Sequence, residues 1–279
     1  MRNYYTRACN FYYGQQAQNL IKKKLALPLC GNKNLAFNHI EILSRDKKIK
    51  LIHIKKINTL EKKLKQIVQH DIKKIILKKQ NLSKNLNFSE PLIMGILNLT
   101  PDSFSDGGLF NQFNKASLHI QNMIDRGANI IDVGGESTRP GSTDVHPKIE
   151  WKRLEKTVAS FKKKYPKISL SIDTRKSEVM LKAIKNKSDL INDVSGFDYD
   201  ISAINKIKKF NIWKVLHHMK GTPNTMQINP KYKNVLLDLY DFFENKLKID
   251  FKKFKHKKFI IDPGIGFGKN LKHNLILMN

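Results

Sequence analysis

Residues 131–142 read Ile-Asp-Val-Gly-Gly-Glu-Ser-Thr-Arg-Pro-Gly-Ser, an apolar run that ends in two glycines, a carboxylate, two hydroxyls and a guanidinium. These residue types suit an anion. Gly134 and Gly135 let the backbone approach a ligand closely. Ser137 and Thr138 can donate hydroxyl hydrogen bonds, and Arg139 offers a planar fork that matches phosphate. Taken alone, the stretch also fits an ordinary loop carrying a solvated arginine.

Other apolar runs end in the same way. Their closing polar residues are Asn98, Asp132 with Glu136, Asp173, Asn192, His217 with His218, and Asp262. Asn98 could reach a hard cation through its carbonyl oxygen. Asp173 and Asn192, at neighbouring strand ends, suit a flat heterocycle with amino and oxo edges: a carboxylate accepts from N–H donors, and an amide serves in both senses. Arg175 offers an alternative, the structural neutralisation of Asp173. Adjacent residues on a strand point to opposite faces, so at most one of His217 and His218 reaches the site. It would do so as a hydrogen-bonding residue rather than a metal ligand. Asp262-Pro-Gly-Ile-Gly-Phe-Gly-Lys269 fails the Walker pattern, because Pro263 stands five before Gly268 and Asn270 replaces the required hydroxyl. Its Asp262 is read as ligand-facing and its glycines as space for a ring. The loop from Asn98 to Gly108 is long and polar with one aromatic, Phe104, as in a mobile lid.

The elements that must carry these residues alternate. Six short apolar runs, Leu92 to Leu97, Ile130 to Val133, Ile168 to Ile172, Leu190 to Ile191, Ile212 to Leu216 and Phe259 to Ile261, are separated by helix-like stretches such as Gln112 to Asp125, Ile149 to Lys164 and Glu178 to Lys185. This rhythm predicts a parallel α/β fold. An open doubly wound sheet gathers its site at one switch point. A (β/α)8 barrel draws on the C-terminal ends of many strands. Polar residues at all six ends therefore favour the barrel, although each alone also fits a turn or a helix cap.

Residues 1–90 read as a separate Lys-rich α+β extension. Leu60, Leu64, Ile67, Val68 and Ile72 fall at helical spacing within Thr59 to Lys79. Ile40 to Ile57 suggests two strands, and Gln80 to Glu90 a polar linker. No chemistry stands out there.

The chain has 279 residues, 40% hydrophobic and 27% charged, with a formal charge of +28. That charge invites a nucleic-acid partner. Only seven of the 52 basic residues are arginine, however, and base readout leans on Arg. The lysines cluster on helix-like faces, as at Lys162 to Lys164, without interleaved aromatics. We read them as solvated surface. Two cysteines, Cys9 and Cys30, are too few for a disulfide framework and imply reduced thiols. No apolar run reaches eighteen residues, and the first ten residues lack a secretion signal's apolar stretch, so a cytoplasmic protein without membrane contact is expected.

Asn98-Leu-Thr-Pro-Asp-Ser-Phe-Ser-Asp-Gly-Gly108 and Asp132-Val-Gly-Gly-Glu-Ser-Thr-Arg-Pro-Gly141 resemble the two signature loops of the dihydropteroate synthase family. Ser171-Ile-Asp-Thr174, Ile191-Asn-Asp-Val-Ser-Gly196, His218-Met-Lys-Gly-Thr-Pro223 and Asp262-Pro-Gly-Ile-Gly-Phe-Gly-Lys-Asn270 follow in the family's order. The resemblance covers residues 91–279 and implies a (β/α)8 TIM barrel. It also implies a reaction that joins p-aminobenzoate to 6-hydroxymethyl-7,8-dihydropterin pyrophosphate, giving 7,8-dihydropteroate and pyrophosphate. By the same resemblance Asn98 would bind Mg2+ with the pyrophosphate. Thr138 and Arg139 would hold the pyrophosphate and shape the p-aminobenzoate pocket. Asp173, Asn192 and Asp262 would hold the pterin edge, beside Gly266 and Phe267. Asp102 and Phe104 would ride on the closing first loop. Asp102 and Arg139 carry the catalytic assignment, and no general base is assigned.

Two departures from the family stand out. Where the family reads Leu-Met-His-Met, this chain has Leu216-His217-His218-Met219. The match also ends at Asn279, inside the helix expected after the sixth strand. About six of the eight βα units are encoded, without the family's later Ser-Arg-Lys and Arg-x-His segments. The resulting expectation is a truncated copy or an incomplete gene model, whose family identity is better supported than its own activity and whose full-length form could pair as a homodimer. Two other readings compete: a pterin-binding methyltransferase barrel, which would have no pyrophosphate for the Glu136 to Arg139 loop to hold, and a non-catalytic basic binding module.

Overall fold

The computed structural model describes residues 3–47, 49–83, 86–88, 90–100, 109–137, 142–252 and 254–278, the side chains of 109–112 excepted. It divides into two compact units.

The first unit holds residues 1–81 and 87–90. Its centre is β3 (Asn32–Leu43), which pairs antiparallel with β1 (Tyr5–Tyr13), β2 (Leu27–Leu29) and β4 (Lys50–His53). Helix α1 (Gly14–Lys22) lies against β3, and α2 (Lys62–Ile76) brings Leu64, Val68 and Ile72 onto Phe37, Ile40 and Ile42. The buried Asp71 of α2 accepts a 2.8 Å hydrogen bond from Thr6 Oγ1 on β1.

The second unit holds residues 82–86 and 91–279. Six strands, β5 (Met94–Asn98), β6 (Ile130–Gly134), β7 (Ser169–Asp173), β8 (Leu190–Asp193), β9 (Trp213–His217) and β10 (Phe259–Asp262), form one parallel sheet in chain order. Between them run α3 (Leu109–Asp125), α4 (Pro147–Lys164), α5 (Ser177–Lys185), α6 (Ala203–Ile207) and α7 (Val235–Lys248), with α8 (Leu271–Met278) last. Each strand pairs with its sequence neighbour through a crossover, as six consecutive βα units of a TIM-type barrel must. Among the described residues, strands β5 and β10 each pair on one side.

Alternation along the strands sorts residues to two faces. The outer set, including Leu97, Ile131, Val133, Leu170, Ile172, Ile191 and Leu216, packs beneath the helices against Ile120, Leu154, Phe161, Val179 and Phe243. The inner set is apolar at the strand starts, where Ile130, Leu190, Trp213 and Val215 cluster. It turns polar at the strand ends, with Asp132, Asp173, Asn192, His217 and Asp262. Part of the stretch that reads as a linker contributes to this apolar layer. Leu82 is buried in it, and its carbonyl accepts from Trp213 Nε1 at 2.9 Å.

Candidate functional site

The polar ends of β5 to β10 converge because the registers align them. Asn98 pairs with Gly134, Gly134 with Asp173, Asp173 with Asn192, and His217 with Asp262. The glycine in this row has a spatial consequence. A Cβ on Gly134 would lie 3.4 Å from Asp173 Oδ2 and 3.5 Å from Asn98 Oδ1. The exposed amide of Asn98 and the Asp173 carboxylate therefore flank one bare patch of backbone.

Beside it sits an under-satisfied polar floor. Asp132 Oδ2 accepts from Asn192 Nδ2 at 2.9 Å, which turns Asn192 Oδ1 away as a free acceptor. Among the described residues, Asp132 Oδ1 and Asn192 Oδ1 are buried without a hydrogen-bond partner. The Asp173 carboxylate makes no hydrogen bond or ion pair among the described residues. Burial, then the negative charges of Asp132, Asp193, Glu150 and Glu136, hold its pKa well above the ordinary carboxylate value. Burial also raises Asp132, opposed by the nearby Ser171 hydroxyl and the Asn192 amide. Buried acceptors without donors cost free energy, so this cluster suits a ligand bearing N–H groups.

Arg175 does not neutralise Asp173. Its Nε and Nη2 donate to Glu136 Oε2 at 3.2 and 2.9 Å, and Lys176 Nζ donates to Glu136 Oε1 at 2.7 Å and Glu150 Oε2 at 2.9 Å. Glu136 Oε1 also accepts from Val145 N at 2.9 Å, and Ser142 Oγ donates to Ser137 O at 2.7 Å. Both flanks of the 138–141 segment are thus tied down by buried ion pairs and hydrogen bonds. Thr138, Arg139, Asp102 and Phe104 lie outside the described residues.

The opposite wall comes from β9 and the loop after β10. Asp262 Oδ1 accepts from Gly264 N at 2.8 Å. Two glycines of that loop are not space for a ring, as the sequence suggests. A Cβ on Gly264 would fall 2.0 Å from His218 O, and one on Gly268 would fall 2.6 Å from Lys220 O. Both have positive φ, so glycine lets the loop lie directly on the segment after β9. Only Gly266, at φ +84°, faces open space. The buried Lys269 locks this packing, its Nζ 3.0 Å from His218 Nδ1 while donating to Phe267 O at 2.9 Å and His218 O at 3.2 Å. Burial, against the Asp262 charge, lowers Lys269 to about 8. Burial and then the Lys269 charge lower His218 to about 3. Lys269 and Lys176 have no role in the sequence reading, where Asp132 enters only as a polar strand end. Their signal, a lone charge beside a strand end or a glycine loop, is indistinguishable from a surface residue until burial is known.

A family model described as "Pterin binding enzyme" matches residues 94–279. The dihydropteroate synthase of Escherichia coli (strain K12) is 40% identical over 195 residues, covering 70% of this chain and 68% of that protein. The chain belongs to the dihydropteroate synthase family. The relative from Clostridium beijerinckii is 42% identical over 199 residues, 71% of each chain. Among solved structures, the Yersinia pestis dihydropteroate synthase with a sulfonamide drug superposes with a TM-score of 0.64 at 39% identity, covering 69% of this chain and 70% of that one. The Burkholderia cenocepacia enzyme complexed with 7,8-dihydropteroate gives 0.60 at 36% identity, covering 69% and 65%. The parallel α/β fold described above is therefore that of a dihydropteroate synthase family member.

Proposed function

We propose that this chain catalyses the dihydropteroate synthase reaction at the mouth of the six-stranded sheet. The observation that carries the reading is the pair of acceptors Asp132 Oδ1 and Asn192 Oδ1, buried without donors among the described residues, with the half-buried Asp173 carboxylate and Asp262 at the neighbouring strand ends. A pterin presents amino and ring N–H groups along one edge, which these oxygens would accept. Pairing with N–H donors favours the ionised form of Asp173, so binding would draw its pKa back down.

The reaction breaks the carbon–oxygen bond at the pterin methylene. Pyrophosphate leaves with the bonding pair, and the amine nitrogen of p-aminobenzoate bonds to the same carbon. The amine then loses a proton to solvent, and no side chain is required as base. Carboxylates around the pterin stabilise positive charge developing on the methylene carbon, while Arg139 and Thr138 would hold the departing pyrophosphate. Asn98 fits a role beside Mg2+. It is an exposed oxygen donor at a strand end, and Mg2+ characteristically takes one or two protein oxygens with the remainder from substrate phosphate and water. Bound there with pyrophosphate, Mg2+ would supply leaving-group charge neutralisation. Asp102 and Phe104 would close over the substrates, and Phe267 with Gly266 would border the pterin.

The test is p-aminobenzoate-dependent release of pyrophosphate in the presence of Mg2+, read beside calorimetric binding of the pterin pyrophosphate. Saturable pterin binding with coupled release of pyrophosphate supports the reading. Absence of both overturns it.

A further inference from the structure

His217 ends β9 with its ring buried in the barrel mouth, 3% exposed. Its Nδ1 lies 2.8 Å from the Val194 carbonyl oxygen. A carbonyl only accepts, so Nδ1 carries the proton and the neutral ring keeps a lone pair on Nε2. Burial lowers the ring's pKa. Asp262 and the Val194 bond oppose that shift, and Lys269 adds to it, so the neutral form prevails.

The same ring meets Phe267 edge to face, centroids 4.7 Å apart at 85°. It also touches the backbone of Gly264, where a Cβ would come within 2.9 Å of both Cε1 and Nε2. Val194 lies two residues after Asn192, and Gly264, whose N–H holds the Asp262 carboxylate, lies two residues after Asp262. One imidazole thus joins the segments that carry Asn192 and Asp262. A methionine in its place would fill similar volume and leave the Val194 carbonyl without this donor.

Resting on the reading of this mouth as a pterin site, we infer that His217 is a positioning residue. Its Nδ1–H bond to Val194 and its packing on Phe267 and Gly264 hold Asn192 and Asp262 at the separation needed to read one pterin edge together.

The experiment compares the wild type with His217→Asn, whose amide nitrogen stands close to where Nδ1 stood, and His217→Met, which packs without donating. Each is titrated with 6-hydroxymethyl-7,8-dihydropterin pyrophosphate plus Mg2+, and separately with inorganic pyrophosphate plus Mg2+. His217→Met is expected to weaken pterin binding about tenfold, the scale of one lost hydrogen bond that leaves a buried acceptor, while His217→Asn stays within about twofold of wild type. Pyrophosphate binding should be equal in all three, which a general loosening of the fold would not allow. Nitrogen-15 shifts of the wild-type imidazole should place the proton on Nδ1. Pterin binding by His217→Met equal to wild type, equal losses in both variants, or a proton on Nε2 would overturn the inference. Failure of the wild type itself to bind pterin would overturn the functional reading beneath it.

Discussion

Asp173 is the residue on which most depends. Its carboxylate is half-buried among other acids, and Arg175, nearby in the chain, is committed to Glu136. Ligand N–H groups favour its ionised form, so pterin affinity should fall as the pH drops through its raised pKa. Asp173→Asn should weaken pterin binding by about 2 kcal/mol, the scale of hydrogen bonds to a charged group. It should also remove that pH dependence, which calorimetry at several pH values would report. Asp193 makes a separate prediction about stability. It is fully buried and raised to about 6 by burial, although it accepts from Ser195 N and Oγ. A raised folded-state pKa contributes stability below the ordinary value of 3.8 that is lost as pH rises through 6. Urea unfolding at pH 4 and pH 7.5 should show wild type losing roughly 2–3 kcal/mol relative to Asp193→Asn across that interval. At this scale the positions of Asn98, Asp173, Asn192 and Asp262 were legible in the sequence, because each directly closes an apolar run. Their protonation and pairing were not. Those depend on Arg175 choosing Glu136, a contact between residues 39 apart in the chain.

Among the elements, β9 and the loop after β10 carry the clearest tests. Lys214 lies on the outer face of β9, fully buried, its Nζ 4.9 and 5.2 Å from the ring centroids of Phe254 and Phe259 and donating to His256 O at 3.1 Å. Burial, then the Lys258 charge, lowers it to about 8. The cost of this charge is full below pH 8 and fades as pH rises toward the ordinary 10.5. Lys214→Met should therefore stabilise the fold by about 1–3 kcal/mol at pH 7, and by less near pH 10, in denaturant titrations. Gly264→Ala should act in the opposite direction. It forces an alanine to φ +67° and drives its Cβ into the His218 carbonyl, so a loss of at least about 2 kcal/mol is expected in the same titrations. The six barrel strands were readable because each is a short apolar run bounded by polar residues. The observed α2, Lys62–Ile76, falls inside the expected span for the same reason. Strand β1 was not readable. Its sequence, Tyr-Thr-Arg-Ala-Cys-Asn-Phe-Tyr-Tyr, mixes polar and aromatic residues without clean alternation, and only pairing with β3 makes it a strand. Leu82 was hidden likewise, a single apolar residue in a polar stretch whose partner, Trp213, lies 131 positions away.

For the molecule as a whole, the formal charge of +28 is carried mainly by lysine, and no helix among the described residues is long and apolar enough to cross a membrane. The family relationship covers residues 94–279, all within the second unit. We propose the mouth of the second unit as a pterin site whose acceptors are satisfied by ligand. Its most direct test is calorimetric titration of the chain with 6-hydroxymethyl-7,8-dihydropterin pyrophosphate and Mg2+ over a series of falling pH values, with Asp173→Asn in parallel. Saturable one-to-one binding that weakens as Asp173 is protonated is predicted, with the variant weaker and lacking that component of the pH dependence. Absence of binding, or binding by Asp173→Asn equal to wild type throughout the series, would contradict it.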